Sequence, residues 1–243
     1  MDLPTLISKG LIGPLNTPQT RTAAFPYELG ARGLHEVVEA AYGDIAAVTG
    51  FTLSAARPAG PGALLWISQA GTRRDLGNPP ETALREMTHR NTRRLSLVTK
   101  HASDALWAAE EAVVSGAVGH VIAEVDTADF TATRRLALAS GRHGVPVTLM
   151  FPHGREGATA AATRWRIAAR PSAPNPYDPR APGRARWRAN LERCRLNPSA
   201  AGRIFDLEWN DETLSLSVVS GMVAGPAASR AALLHGRPEQ KAG

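Results

Sequence analysis

Short runs of apolar and β-branched residues alternate along the middle of the chain with segments in which apolar residues recur at helical spacing. Five runs have the composition of buried parallel strands: LHEVVE at 34–39, GALLWISQ at 62–69, RLSLVTK at 94–100, GHVIAEVD at 119–126 and VPVTLMF at 145–151. Each run is too short to form a helical core by itself. The alternation predicts a doubly wound α/β sheet with right-handed crossovers.

Three helices are predicted between these strands. The clearest begins with Ser103 as its N-cap and ends at Gly116, which are residue types favoured at those two positions. Two further helices are predicted, from Thr127 or Asp129 to Gly141 and, with weaker signals, over 81–91.

After Phe151 the pattern changes from strand and helix to strand, loop and strand. TRWRIAAR at 163–170 and RWRANLERCR at 186–195 show the two-residue period of half-buried strands, with tryptophan inward and arginine outward. The linker at 171–185 is rich in proline, which predicts an exposed loop. RIFDLEWN and TLSLSVVS, joined by an acidic turn, predict a hairpin. Antiparallel strands should therefore extend the mostly parallel sheet.

The chain divides into three predicted segments. Residues 1–32 form an irregular leader that Phe25 and Tyr27 could anchor, residues 33–219 form one α/β domain, and residues 220–243 form a tail with too little apolar surface to fold alone.

Composition agrees with one main soluble domain, because 43% of the 243 residues are hydrophobic and 21% are charged. The single cysteine, Cys194, cannot form an internal disulfide. The first residues make a poor signal peptide, and no window offers the eighteen apolar residues that a membrane span needs. A cytoplasmic protein without a membrane partner is expected.

The net charge of +6 is concentrated in residues 161–205, where ten arginines face only two acidic residues, Asp178 and Glu192. Such a surface favours anionic partners and predicts weak, salt-sensitive DNA binding. The alternation within the strands predicts that Trp165 and Trp187 are core residues rather than stacking platforms for bases. The candidate contacts for DNA or an acidic partner are the outward arginines: Arg164, Arg166, Arg186 and Arg188.

A phosphate-binding loop of the form GxxxxGK[ST] would be expected after the first strand. Aligned from Gly43, the chain has Val48, Thr49 and Gly50 where glycine, lysine and serine or threonine are needed, and Asp44 would repel phosphate. ATP hydrolysis at this loop is not expected. The remaining candidate for nucleotide chemistry is a carboxylate at a strand end, Glu124 or Asp126. Asp126 is better explained as a helix cap or loop anchor, and a buried Glu124 would need a partner.

Other enzyme patterns are absent from the sequence. There is no GxSxG or HExxH motif, and the seven histidines never fall at paired metal-ligand spacing. Cys194 lies among arginines that would lower the pKa of its thiol, but a lone buried thiol is the commoner case. No catalytic residue, metal or cofactor is expected.

Six motifs, taken in chain order, resemble the ImuA family: LHEVVEAA at 34–41, SDALWAAEEAVVSGAVGHVIAEVD at 103–126, TATRRLALAS at 131–140, AATRWRIAARPSAP at 161–174, ARWRANLERCR at 185–195 and DLEWND at 206–211. Each motif is weak alone, but their order and spacing make the resemblance fairly specific. It covers roughly residues 25–218.

The resemblance implies a RecA-like fold, which is also compared with that of the cell-division inhibitor SulA. By the same resemblance, Gly43 to Gly50 correspond to the RecA phosphate loop, and the strand ending at Glu124 or Asp126 corresponds to its acidic motif. Because the loop has lost its lysine, ATPase and strand-exchange activities are in doubt.

Three functions remain open. The first is a non-catalytic accessory protein of SOS-induced mutagenic translesion DNA synthesis, which by resemblance would act with ImuB, a Y-family-like protein, and an error-prone DnaE-type polymerase. RecA and DNA are further candidate partners. The second is a RecA-like ATPase with an atypical phosphate loop. The third is a SulA-like inhibitor of cell division.

Overall fold

The computed structural model describes residues 22–27, 29, 32–56, 62–79, 81–87 and 93–219. Ten strands lie in this part of the chain: β1 Thr22–Ala24, β2 Leu34–Glu39, β3 Ala63–Gln69, β4 Arg94–Thr99, β5 Val118–Glu124, β6 Val147–Phe151, β7 Thr163–Arg170, β8 Arg186–Cys194, β9 Ile204–Asn210 and β10 Ser215–Val219. Five α-helices accompany them: α1 Ile45–Ala55, α2 Ala70–Leu76, α3 Glu81–Met87, α4 Ala102–Ser115 and α5 Phe130–His143.

The strands form one sheet in the order β1-β10-β9-β8-β7-β2-β6-β5-β3-β4. From β7 to β4 in this order all neighbours pair in parallel, whereas β7, β8, β9, β10 and β1 pair in antiparallel fashion. This arrangement confirms the predicted α/β fold class, with a sheet that is mostly parallel in its core and extended by C-terminal antiparallel strands.

Each face of the sheet carries its own core, because successive residues of a strand point to opposite faces. In β3, Leu64 and Trp66 face the core beneath α1, while Leu65 and Ile67 face the core beneath α4 and α5. The central strands β2, β3, β5 and β6 are buried along their whole length. Burial on both faces explains why these strands lack a polar and apolar alternation.

Strand β4 is predicted from the sequence as a buried strand, and that prediction is wrong. It lies at the edge of the sheet with Leu95 45%, Leu97 38% and Val98 46% exposed. An apolar run identifies a strand but does not determine its position in the sheet.

The helix α4 begins two residues earlier than predicted. His101 is its N-cap and Ser103 lies inside the first turn, where its hydroxyl approaches the carboxylate of Asp104 at 3.4 Å. Ser103 is therefore not the cap. The predicted end is confirmed, because Gly116 takes the left-handed conformation, with φ 68°, that favours glycine.

The helix α5 confirms one of the two predicted starts and extends beyond the predicted end. Asp129 is the N-cap, and its side chain accepts a hydrogen bond of 2.7 Å from the backbone N–H of Ala132. The helix continues through Gly141 and ends at His143, followed by Gly144 with φ 74°.

Part of the predicted leader belongs to the sheet. Thr22–Ala24 pair with Ser217 to Val219 at the edge opposite β4. The rings of Phe25 and Tyr27 then pack against Trp165 at centroid distances of 5.4 and 5.3 Å, so they anchor this segment as expected. Residues 1–21 and 220–243 lie outside the described residues, so the division into three segments stays a prediction. Among the described helices, none has the length and apolar character to cross a membrane.

Candidate functional site

The loop after β2 occupies the place of a phosphate-binding loop, but its acidic side chain, Asp44, is bonded to backbone N–H groups of the chain itself. Gly43 forms the turn with φ 98°, and Asp44 precedes the first residue of α1. The Asp44 carboxylate accepts the backbone N–H of Ala41 at 3.1 Å with one oxygen and the N–H of Ala169 at 3.0 Å with the other. A phosphate-binding loop offers its backbone N–H groups to an anion from outside. Here a carboxylate of the chain itself holds two N–H groups of the region.

Thr49 and Gly50 lie inside α1, and both are half-buried. The side of the helix at Gly50 rests on the indole of Trp187, and an added Cβ would lie 2.6 Å from Trp187 Cζ2. The glycine at this position therefore has a structural reason that is independent of phosphate binding.

Two residues that sequence reasoning did not single out lie beside this loop. Glu39 ends β2 and is buried, and His153 follows β6, with its Nδ1 3.9 Å from Glu39 Oε2. Burial raises the pKa of Glu39 above its ordinary value. The exposed ring of Tyr42 meets the ring of His153 edge-on at 6.0 Å. Glu39 and His153 could have been identified from the sequence, because the carboxyl ends of neighbouring parallel strands lie at the same edge of the sheet.

The second predicted carboxylate pair separates into a buried and an exposed residue. Glu124 is buried at the end of β5, where its Oε2 accepts a hydrogen bond of 2.5 Å from Ser68 Oγ. Asp126 is exposed, and its backbone N–H donates to Gln69 Oε1 at 2.6 Å. Glu124 thus has the partner that its burial requires, and both contacts hold β5 to β3.

Burial raises the pKa of Glu124, although the hydrogen bond from Ser68 lowers it in part. A raised pKa in the folded state means that this carboxyl adds stability below the ordinary glutamate pKa of about 4.3, and that the added stability is lost as pH rises through the folded value. We therefore expect Glu124→Gln to gain free energy of unfolding relative to wild type as pH rises from about 4 to 8. Urea unfolding along this range measures the difference, and Ser68→Ala should move the transition to still higher pH. A difference between Glu124→Gln and wild type that stays constant with pH would contradict this account.

Arg164 was expected to point outward from its strand, and that orientation is wrong. It is 8% exposed, and its Nε donates to Glu36 Oε2 at 2.6 Å. The segment between β6 and β7 covers this part of the sheet, with Thr159 donating to Glu36 and the carbonyl of Gly157 accepting from Arg164. The buried position makes Arg164 a partner of Glu36 within the fold.

Arg166 is half-buried and holds the loops at the carboxyl ends of the strands. Its guanidinium is paired with Glu192 and donates to the carbonyls of Glu39 at 3.1 Å and His153 at 3.0 Å. It therefore positions the two residues that lie beside the Gly43 turn.

Arg186 and Arg188 point outward as predicted, and each is paired across the strand with a carboxylate of β9. Arg186 Nη2 lies 2.7 Å from Glu208, and Arg188 Nε donates to Asp206 at 2.9 Å. Trp187 alternates with them and is buried, as is Trp165, which confirms that both tryptophans are core residues. Cross-strand pairing neutralises much of the charge that the sequence placed on this face. A role of the four arginines in binding DNA or a partner stays a prediction.

A cleft of about 390 Å³ lies between α4 and α5. Trp107 forms one wall and is 61% exposed. Arg135 and Glu110 close part of the cleft with an ion pair of 2.6 Å. Among the described residues, no group of three or more histidine, cysteine or acidic side chains is arranged to hold a metal ion.

No family model matches the chain. The protein ImuA of Caulobacter vibrioides, from strains NA1000 / CB15N and ATCC 19089 / CIP 103742 / CB 15, is 34% identical over 144 residues. The match covers 55% of this chain and 56% of each relative, so the chain spans about half the length of the curated relatives it matches. It confirms the resemblance to ImuA over that part of the chain. The crystal structure of SulA from Pseudomonas aeruginosa is similar with a TM-score of 0.36 and 17% identity, over 49% of this chain and 97% of SulA.

Proposed function

We propose that this relative of ImuA is a non-catalytic accessory protein of SOS-induced mutagenic translesion DNA synthesis. It acts in the cytoplasm with an ImuB-like protein and an error-prone DnaE-type polymerase. The similarity to ImuA supports the pathway. The observation that carries the non-catalytic part is the bonding of Asp44 to the backbone N–H groups of Ala41 and Ala169.

The chemistry of this loop argues against phosphate binding for two reasons. Phosphate and carboxylate are both anions, so Asp44 repels a nucleotide phosphate placed beside it. A phosphate also needs free donors, and those of Ala41 and Ala169 are already in hydrogen bonds. In addition, the chain has threonine at position 49, where a phosphate-binding loop places the lysine that reaches the β- and γ-phosphates.

The experiment compares nucleotide binding with partner binding on the same purified protein. We expect calorimetric titration with ATP and Mg²⁺ to show no binding, and phosphate release to stay at background with or without single-stranded DNA. Sedimentation with an ImuB-like protein should show a stable complex. Together, these results would support the accessory role.

An ATPase with an atypical loop predicts the opposite outcome. It would hydrolyse ATP in the presence of single-stranded DNA, and Thr49→Ala or Asp126→Asn would weaken that activity. Ser103→Ala, a change on the exposed surface of α4, is the matched control and should leave it unchanged. DNA-stimulated hydrolysis with this pattern would overturn the proposal.

A further inference from the structure

One edge of the strand β4 faces away from β3. It closes the sheet, and none of the described strands pairs with its outward side. The carbonyl of Arg93 accepts the N–H of Leu64 at 2.8 Å, which fixes the direction of the peptide groups along the strand. Since the N–H and C=O of a residue point to the same side of a strand and alternate along it, Ser96 and Val98 direct theirs away from β3.

Apolar side chains flank this edge on both faces. Leu95 and Leu97 are opposite Leu65 and Ile67 in the register, so they lie on the α4 side of the sheet, while Val98 lies on the other side. All three are exposed by more than a third. An added strand would therefore gain backbone hydrogen bonds and apolar contacts together.

The usual protections of a sheet edge are missing from β4. Natural edges are commonly blocked by proline, by a bulge or by an inward-pointing charge. Residues 94–99 contain no proline, and the pairing of β3 with β4 has no register shift. The only charged side chain within the strand, Arg94, lies 2.7 Å from Glu81.

Positive charges stand at both ends of the strand. Arg93 and Lys100 are exposed and form no ion pair with another described residue. An antiparallel two-fold pairing with a second copy of the chain, centred on Leu97, would set Arg94 against Lys100 of the other copy. Like charges directly opposite each other destabilise a strand pair.

We propose that β4 accepts an extended segment of another protein as an additional strand of the sheet, and that this segment is apolar in alternation and acidic at both ends. The backbone of Ser96 and Val98 binds it, Leu95 and Leu97 contact its apolar side chains, and Arg93 and Lys100 pair with its carboxylates. This inference goes beyond the proposed function and does not depend on it.

The probe is a labelled synthetic peptide that alternates valine and threonine between two glutamates at each end. Its binding to the full chain is measured by fluorescence anisotropy at low salt, where exposed charges act over about 10 Å or more. We expect it to bind at least about ten-fold more tightly than the same peptide with lysines in place of the glutamates. The double variant Arg93→Glu and Lys100→Glu should reverse this preference.

The variant Ser96→Pro removes one outward N–H and leaves the hydrogen bonds of β4 with β3 in place, because proline is tolerated on the open side of an edge strand. We expect it to weaken binding by about ten-fold or more while the urea midpoint stays close to that of wild type. Ser96→Ala, which keeps the N–H, should bind like wild type.

Four results would overturn the proposal. Ser96→Pro could bind the peptide as tightly as wild type, or exchange of glutamate for lysine in the peptide could leave the affinity unchanged. Sedimentation could instead show a dimer that Ser96→Pro dissociates, which would identify a second copy as the occupant. Binding that occurs only after removal of residues 1–21 would identify a segment of the chain itself as the occupant.

Discussion

The variant Gly50→Ala should lose about 1–3 kcal/mol of unfolding free energy, although alanine is the better helix former. The reason is the indole of Trp187, whose Cζ2 would lie 2.6 Å from the new Cβ. Trp187 is 5% exposed and cannot move aside without disturbing the core beneath α1. Urea unfolding monitored by tryptophan fluorescence measures the loss.

Gly141 is the matched control for this prediction. It lies inside α5, and a Cβ added there would meet no atom within 4 Å. Gly141→Ala should therefore stabilise the protein by up to about 1 kcal/mol through helix propensity alone. Two changes of the same residue type thus have opposite expected signs. A loss at Gly141, or a gain at Gly50, would contradict the packing assigned to α1.

The variant Arg164→Met should lose about 3–5 kcal/mol of unfolding free energy, because it leaves the carboxylate of Glu36 buried without its closest cation. Glu36 is completely buried, and Arg164 Nε is 2.6 Å away. Arg155 at 3.3 Å and Thr159 at 2.7 Å stay in place, so we expect the lower end of this range.

A double-mutant cycle separates the contribution of the Glu36–Arg164 ion pair from the effect of changing the size of each side chain. Glu36→Leu combined with Arg164→Met should cost less than the sum of the single changes, because neither charge then lacks its partner. The exposed pair of Arg85 with Glu81 is the control, and Arg85→Ala should change stability by at most about 0.5 kcal/mol. Additive losses in the cycle would show that Arg164 does not stabilise the fold through Glu36.

The strands of this protein could be predicted from sequence because most of them are buried and therefore rich in apolar residues. β7 is predicted at its observed bounds, since Trp165 and Ile167 alternate with arginines on a half-buried sheet. The helix α1 has no comparable signal. Seven of its eleven residues are buried, so it is apolar nearly all round and shows no helical period.

The position of a strand within the sheet could not be predicted in the same way. β4 has the apolar composition of a central strand but lies at the edge, because the order of strands depends on crossovers that the local pattern does not contain. The local sequence pattern also could not show that Arg164 is buried. Its alternation with Trp165 is real, but Glu36, which pairs with it, is separated by 128 positions along the chain.

The candidate site was predicted in part. The missing lysine and the repulsive Asp44 were visible in the sequence, whereas the bond from Ala169 to Asp44 depends on the pairing of β7 with β2. The contact of Glu39 with His153 could not be predicted either. Glu39 ends β2 and His153 follows β6, and these two strands are neighbours only in the folded sheet.

The pairing of β1 with β10 also determines when folding can finish during protein synthesis. Thr22 leaves the ribosome early, but its partner Val219 is added only after nearly the whole described chain has been made. At about 5–20 residues per second this interval is roughly 10–40 s. The hydrogen bond of Phe25 also forms late, because its N–H donates to the carbonyl of Leu216. During this interval residues 22–25 of a nascent chain remain open to chaperones and proteases, and any premature stop before β10 leaves them without these partners.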